Sequence, residues 1–326
     1  MPQAPPAPPA WVTEVAQGIK TMKIRGAGRI ARAAVKALKT TAEASEAKTI
    51  DDFVTELNVV AETLLRTRPT AVSLPNGVRY VMWRVLKAKN TASSVEDLKA
   101  YTINLANRFI ESSETAVKKI GEIGARRIKD GDTILTHCQS SAVEAIIKKA
   151  WKQGKKIQVY CTETRPRFQG RITARTLSRV GIPVTMIIDS AARYFMNEVD
   201  KVIVGSDAIA ANGAVVNKIG TSLIALAARE TRVLFYVAAE TYKFSPETIL
   251  GGLIVIEERN PSEVISPGRL KAMKNVSIRN PSFDMTPAEY IDLIITEKGI
   301  IPPQGAVSIL QEEYGWFIGE KIGYLT

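Results

Sequence analysis

The sequence predicts an α/β protein: an all-helical N-terminal domain followed by a parallel-sheet domain with helices on both faces. Two observations carry this. From Trp11 to about Lys129, apolar residues recur at three- and four-residue steps and no convincing strand interrupts them. From Gly131-Asp132 onward the period changes, and short β-branched runs alternate with helical segments, the pattern of a parallel sheet. The expected organisation is a Pro/Ala-rich disordered arm over residues 1–10, a helical domain over 11–129 and a sheet domain over 130–326.

Pro2 to Pro9 are nearly all Pro, Ala and Gln, which cannot build a packed element. Helical spacing then shows in Ile30, Ala33, Ala34 and Leu38, and again in Val54, Leu57, Val60, Leu64 and Leu65. The last helix of this domain is expected from about Val95 to Ile128. Strands are expected at Asp132–Thr136, Lys156–Cys161, Val184–Ile188, Lys201–Gly205, Val233–Ala238 and Leu253–Ile256. Helices are expected at Ala142–Trp151, around Gly170 to Val180, around Lys218 to Arg229, and at Gln304–Tyr314. No internal repeat is visible.

Composition narrows the function. The 326 residues suffice for two domains, and 45% hydrophobic content allows a sizeable core. Charges break every long apolar run, so no membrane span is expected, and no signal-like segment opens the chain. The chain reads as cytoplasmic. Cys138 and Cys161 do not make a disulfide framework. A net charge of +11 suits a phosphorylated ligand or a nucleic acid. With no basic tail, zinc spacing or aromatic RNA-stacking motif, small phosphates rank above nucleic acid.

Arg25-Gly26-Ala27-Gly28-Arg29-Ile30-Ala31 imitates a dinucleotide fingerprint. A helical segment precedes it and no second strand ending in an acid follows, so that reading fails. Its glycines still expose amides at a helix start, and Arg25 adds a fork of donors, which suits one phosphate or an ordinary helix start. His137, the only histidine, precedes Cys138. Adjacent strand residues point to opposite faces, so His137 is expected to face away from the thiol in a supporting role. Cys161 closes the second strand and reads as a buried small apolar residue.

Chemistry-ready residues gather after the strands. Thr136-His137-Cys138-Gln139-Ser140-Ser141-Ala142 joins the first strand to a helix start, a place that favours a thiolate. Thr162-Glu163-Thr164-Arg165-Pro166-Arg167-Phe168-Gln169-Gly170 follows the second strand, Asp189 the third and Gly205-Ser206-Asp207 the fourth. Ala211-Asn212-Gly213 reads as a turn, and Asn217-Lys218 as the opening of a helix. Ala239-Glu240-Thr241-Tyr242-Lys243 follows a further strand. Parallel strands bring these ends to one edge of the sheet. Each acid could equally cap a turn; their coincidence points to a site.

Thr241-Tyr242-Lys243-Phe244, Asn212-Gly213-Ala214-Val215-Val216-Asn217-Lys218-Ile219-Gly220-Thr221 and Glu163-Thr164-Arg165-Pro166 resemble one family over nearly the whole chain. It joins sugar-phosphate isomerases to regulatory subunits of the translation-initiation guanine-nucleotide exchange factor. The resemblance implies a helical N-terminal domain and a Rossmann-like C-terminal domain. Members that isomerise methylthioribose 1-phosphate have a similar cysteine and aspartate, but carry an Arg-Gly-Ala-Pro-Ala-type motif and lack Thr-Tyr-Lys-Phe. Regulatory subunits share Thr-Tyr-Lys-Phe but usually lack the cysteine–aspartate pair. Cys138 and Asp207 beside Lys243 look most like the members that convert ribose 1,5-bisphosphate to ribulose 1,5-bisphosphate in nucleotide salvage, that is, AMP metabolism.

By that resemblance Cys138 is the base and Asp207 the acid. The base needs a depressed pKa and the acid a raised one. Substrate contacts fall on Arg25, Gly26, Ala27, Gly28, Arg68, Ser140, Ser141, Ala142, Asn217, Lys218 and Lys243. Arg25 and Arg68 belong to the helical domain, so the phosphorylated pentose is expected between domains. No metal or other cofactor is expected. The resemblance also implies a homo-oligomer, a dimer through the sheet domain with a hexamer open. Composition leads to the expectation of no nucleic-acid or membrane partner.

Overall fold

A computed structural model describes residues 7–21, 23, 24, 26–67 and 72–314. It divides into two units, residues 1–115 with 314–326 and residues 116–313. The Pro/Ala-rich arm lies outside the described residues except for its last positions, from Ala7 onward.

The first unit is helical: α1 (Ala10–Lys20), α2 (Ala27–Ala44), α3 (Ile50–Leu65), α4 (Ser73–Ala88) and the first part of α5 (Val95–Ala125). Each buries one apolar stripe. In α2 the stripe is Ile30, Ala34, Val35 and Leu38; in α3 it is Phe53, Leu57, Val60 and Leu64. Thr49 caps α3, its hydroxyl accepting from the Asp52 N–H at 3.1 Å, while Asp51 and Asp52 favour the positive end of that helix.

The second unit is built on β1 (Thr133–Thr136), α6 (Ser141–Lys152), β2 (Gln158–Thr162), α7 (Gly170–Ser178), β3 (Val184–Ile187), α8 (Ala192–Phe195) and β4 (Lys201–Val204). It continues with β5 (Ala208–Ile209), β6 (Val215–Lys218), α9 (Thr221–Thr231), β7 (Leu234–Ala238), α10 (Pro267–Lys271), β8 (Phe283–Thr286), β9 (Leu293–Thr296), β10 (Gly299–Ile301) and α11 (Ala306–Tyr314). The main sheet has the order β10-β9-β7-β4-β1-β2-β3, parallel throughout except for the antiparallel β9–β10 pair. Ile134, Ile146, Ile147, Val159, Leu177 and Ile203 belong to one apolar cluster of this unit.

That order is doubly wound. The chain runs from β1 outward through β2 to β3, then returns to β4 and continues through β7 to β9. The reversal falls between β1 and β4, and the crevice outside strand ends at such a point is where ligands bind. The opposite ends of these two strands are locked: Lys201 Nζ lies 2.6 Å from Asp132 Oδ2, and Asp200 accepts from the Thr133 N–H at 2.8 Å.

Two expectations need correction. Leu253–Ile256 is not a strand: Leu253 and Val255 are largely exposed, and no neighbouring strand pairs with the segment. An apolar β-branched run forms a strand only where a ladder partner meets it. Asn217-Lys218 does not open a helix. Both residues end β6, which pairs antiparallel with β5 and β8 in a small second sheet, and α9 begins three positions later. Ala211-Asn212-Gly213 is the turn between β5 and β6, closed by the Ala210 N–H donating to the Ala214 carbonyl at 2.9 Å.

Candidate active site

Cys138 leaves β1 in the left-handed region, at φ 66°. For a residue other than glycine this conformation is sparsely populated, at about 1–3 kcal/mol, and persists only where surroundings impose it. Here they do. The Cys138 N–H donates to Thr164 Oγ1, and Thr173 Oγ1 donates to the Cys138 carbonyl, each at 2.9 Å. Two residues on, Ser140 caps α6, accepting from the Val143 N–H at 3.4 Å. Ser141 and Ala142 form the first turn of α6, whose amides have no acceptor within the helix.

Gly205 brings the end of β4 against this turn. A Cβ there would stand 2.6 Å from Ser140 Oγ and 2.7 Å from its Cβ, so only glycine lets the two strand ends meet so closely. Asp207 follows, its backbone N–H donating to the Val216 carbonyl at 2.9 Å. That bond ties the β4 end to β6, which carries Asn217 and Lys218. The Asn217 amide donates to Thr221 Oγ1 at 3.0 Å, and buried Lys218 lies over the Phe283 ring at 4.6 Å.

The electrostatics depart from one expectation. The Cys138 thiol is not depressed: burial pushes it up to about 12. Lys218 and the Gln139 backbone N–H pull it down, and the Asp207 and Asp189 carboxylates push it further up. Position near a helix start favours the thiolate, but desolvation outweighs it. These same interactions put Asp207, Asp189 and Lys218 each within electrostatic reach of the Cys138 thiol. Cys161 is fully buried, its thiol likewise pushed up to about 12 by burial.

His137 is buried with both ring nitrogens engaged. Nε2 lies 2.9 Å from the Ile219 carbonyl and Nδ1 2.6 Å from Thr162 Oγ1. A carbonyl only accepts, so Nε2 carries the proton and Nδ1 of the neutral ring accepts from Thr162. Burial holds the imidazole below its usual pKa, against the Ile219 carbonyl and Asp189. Asp189 itself accepts from the Thr164 and Arg165 N–H groups, each at 2.7 Å.

Lys243 follows β7 in a short 3-10 turn, Thr241–Lys243. Its Nζ lies 2.6 Å from Glu240 Oε2, both side chains buried. Burial disfavours the Glu240 carboxylate, but Lys243 and the Tyr242 hydroxyl hold its pKa below the usual range. Gly26, Ala27 and Gly28 open α2 in the helical unit, with Gly26 at φ 91° as its first boundary. Arg25 and Arg68 lie outside the described residues.

Asp284 escapes sequence reading. It sits on β8 opposite Asn217, and its carboxylate accepts from the Gly220 N–H at 2.7 Å and the Ser222 N–H at 3.2 Å, at the start of α9. Burial nonetheless raises its pKa to about 6. Nothing in the local sequence marks it, because the helix start it serves is some sixty residues earlier. Among the described residues, no group of three or more His, Cys, Asp or Glu side chains is placed to hold a metal ion, and no helix is long and apolar enough to cross a membrane.

The initiation factor 2 subunit family model matches residues 23–303. The chain belongs to this family. Among its curated relatives, ribose 1,5-bisphosphate isomerase of Thermococcus kodakarensis is 55% identical, over 94% of this chain and 95% of that one. Its counterpart from Pyrococcus furiosus is 56% identical, over 94% of each. Among solved family folds, the Pyrococcus horikoshii translation initiation factor eIF-2B superposes with a TM-score of 0.76 at 34% identity, covering 92% of this chain and 99% of that one. Methylthioribose 1-phosphate isomerase from the same organism gives 0.73 at 34% identity, covering 92% and 87%. The family fold is therefore shared by proteins named as isomerases and by one named as an initiation factor.

Proposed function

We propose that this chain isomerises ribose 1,5-bisphosphate to ribulose 1,5-bisphosphate by general acid–base catalysis, in a cytoplasmic nucleotide-salvage route. The observation that carries the reading is the placement of Cys138 and Asp207 at the ends of β1 and β4, on either side of the switch point, with Lys218 near the thiol. The names of the archaeal relatives at 55% and 56% identity support the substrate.

A sugar phosphorylated at C1 is locked as a ring. In the proposed reaction Cys138, as thiolate, removes the C2 proton while the C1–O bond of the ring breaks. Asp207 protonates the departing ring oxygen. The resulting enol phosphate then gives its C2 hydroxyl proton to Asp207 and takes the proton held by Cys138 at C1, which leaves the C2 ketone. Each such group contributes roughly a hundred- to ten-thousand-fold. Lys218 is the described cation that favours the thiolate. The proposed phosphate contacts are Arg25, Gly26, Ala27, Gly28, Arg68, Ser140, Ser141, Ala142, Asn217, Lys218 and Lys243.

One observation favours methylthioribose 1-phosphate instead. Lys243, the proposed substrate contact that sets this chain apart from the methylthioribose-type members, already holds Glu240 in a buried ion pair. A second phosphate must share that cation. Self-association is part of the proposal, supported by largely exposed apolar side chains of the sheet unit such as Tyr194, Leu250 and Leu253.

Two variants test the chemistry. Cys138→Ser removes the thiolate and Asp207→Asn the acid, and each is expected to abolish turnover while the fold persists. Turnover within about threefold of wild type in either variant removes that residue from the mechanism.

A further inference from the structure

The turns that follow β3, β2 and β1 are linked in series by hydrogen bonds. Asp189, after β3, accepts two backbone N–H bonds of 2.7 Å from Thr164 and Arg165. Those bonds hold Thr164, after β2, in the left-handed region at φ 62°. Thr164 is fully buried, and its hydroxyl accepts the Cys138 N–H at 2.9 Å. Cys138, after β1, is left-handed in turn, at φ 66°. Neither residue is a glycine, so neither adopts this conformation on its own account.

The direction of a side chain follows from the backbone that carries it. In the left-handed region, Cα–Cβ departs from the path of the chain differently than it does in an extended strand. The turn at Cys138 therefore decides whether Sγ faces the crevice between β1 and β4 or the body of the sheet. The N–H of Cys138 donates to the Thr164 hydroxyl. Thr173 holds the carbonyl side, its hydroxyl donating to the Cys138 carbonyl at 2.9 Å, so among the described residues Thr164 alone serves the N–H side.

We propose that Thr164 is a positioning residue for the reaction: its hydroxyl fixes the left-handed turn at Cys138 and thereby aims the thiol at the substrate. The proposal rests on Cys138 carrying the proton transfer. Thr164 touches no reacting atom and acts through the backbone of its neighbour alone. A misaimed group loses rate rather than binding, because the bound substrate keeps its phosphate contacts while the reacting atoms drift from the near-attack geometry.

The test uses the full chain with Thr164→Val, which keeps the shape and removes the acceptor, and Thr164→Ser, which keeps the acceptor. Should the valine variant fail to fold, Thr164→Ala takes its place. Two quantities are measured: kcat and KM on ribose 1,5-bisphosphate, and the rate at which iodoacetamide labels Cys138, followed by peptide mapping. Without the hydroxyl, kcat falls by about tenfold or more while KM stays within about threefold, and the serine variant recovers wild-type kcat to within about threefold. The looser turn also labels faster at Cys138 in the valine variant and not in the serine one.

Unchanged kcat in the valine variant, or equal losses in the valine and serine variants, overturns the proposal. If wild type does not turn over the bisphosphate, the functional reading falls. The labelling rates then decide the positioning role by themselves, with a wild-type rate in the valine variant overturning it.

Discussion

Lys243 Nζ stands 2.6 Å from Glu240 Oε2, and fewer than one-tenth of either side chain is exposed. The pair closes the turn after β7, where Thr241 donates from its backbone N–H and its hydroxyl to Glu297. A buried pair of this kind adds little over an apolar substitute, but removing one partner strands the other charge. Lys243→Met is therefore expected to destabilise the fold by about 3–5 kcal/mol in denaturant titrations. Lys243→Met with Glu240→Leu is expected to recover most of the loss. A stable single variant would mean that Glu240 finds another partner.

Gly205→Ala tests the contact between the two central strand ends. The added methyl would stand 2.6 Å from Ser140 Oγ, and the serine is pinned as the cap of α6. Overpacking of this kind costs about 1–3 kcal/mol, and here the strain falls on the candidate site. Turnover is expected to fall well beyond the stability loss. Normal kinetics at wild-type stability would show that the crevice between β1 and β4 is looser than these distances indicate.

The raised Cys138 thiol makes a pH prediction. Only the thiolate reacts with iodoacetamide, and burial pushes this thiol up to about 12. In the ligand-free protein the labelling rate should still be climbing steeply at about pH 10, since below the pKa the thiolate fraction grows about tenfold per pH unit. A plateau near neutral pH would show that Lys218 and the helix start outweigh desolvation after all.

Asp284 makes a prediction of the opposite kind. Its folded pKa of about 6 lies above the ordinary aspartate value of 3.8, so between these the folded chain binds the extra proton. Its contribution to stability is therefore full at low pH and is lost as pH rises from about 4 through about 6. Asp284→Asn removes the titration. The Tm of wild type minus that of the variant is expected to decline across that window. A difference that does not change with pH would remove Asp284 as the titrating group.

The strands carrying Cys138, Thr164, Asp189 and Asp207 were legible because each is a short β-branched run followed by polar turn residues. Leu293–Thr296 has the same character and forms β9, with Asp292 and Glu297 bracketing it as plainly as any other strand. Leu253–Ile256 has that character too and forms no strand, since periodicity says nothing about whether a partner lies alongside. β5 is only two residues long, and β8, Phe283-Asp284-Met285-Thr286, has no β-branched run, so without them Lys218 reads as a helix start rather than a strand end.

That Cys138 and Asp207 follow strands is legible in the sequence; the electrostatics around them are not. A thiol before a helix start suggests a depressed pKa, yet sequence does not report how deeply the sulfur is buried. Thr164 and Asp284 accept hydrogen bonds from residues 26 and 64 positions away, from the N–H groups of Cys138 and Gly220. No local pattern records such contacts. Lys243 is expected as a substrate contact, and Glu240 stands three positions before it, a spacing that brings the two together once the turn forms.

The measurement that bears most directly on the proposed function is a side-by-side assay of the purified chain on ribose 1,5-bisphosphate and methylthioribose 1-phosphate. The account predicts a kcat/KM for the bisphosphate at least about tenfold higher, the worth of one charge-assisted phosphate contact. It further predicts ribulose 1,5-bisphosphate as the product. Equal or greater turnover of methylthioribose 1-phosphate would contradict it and assign Lys243 to Glu240 alone.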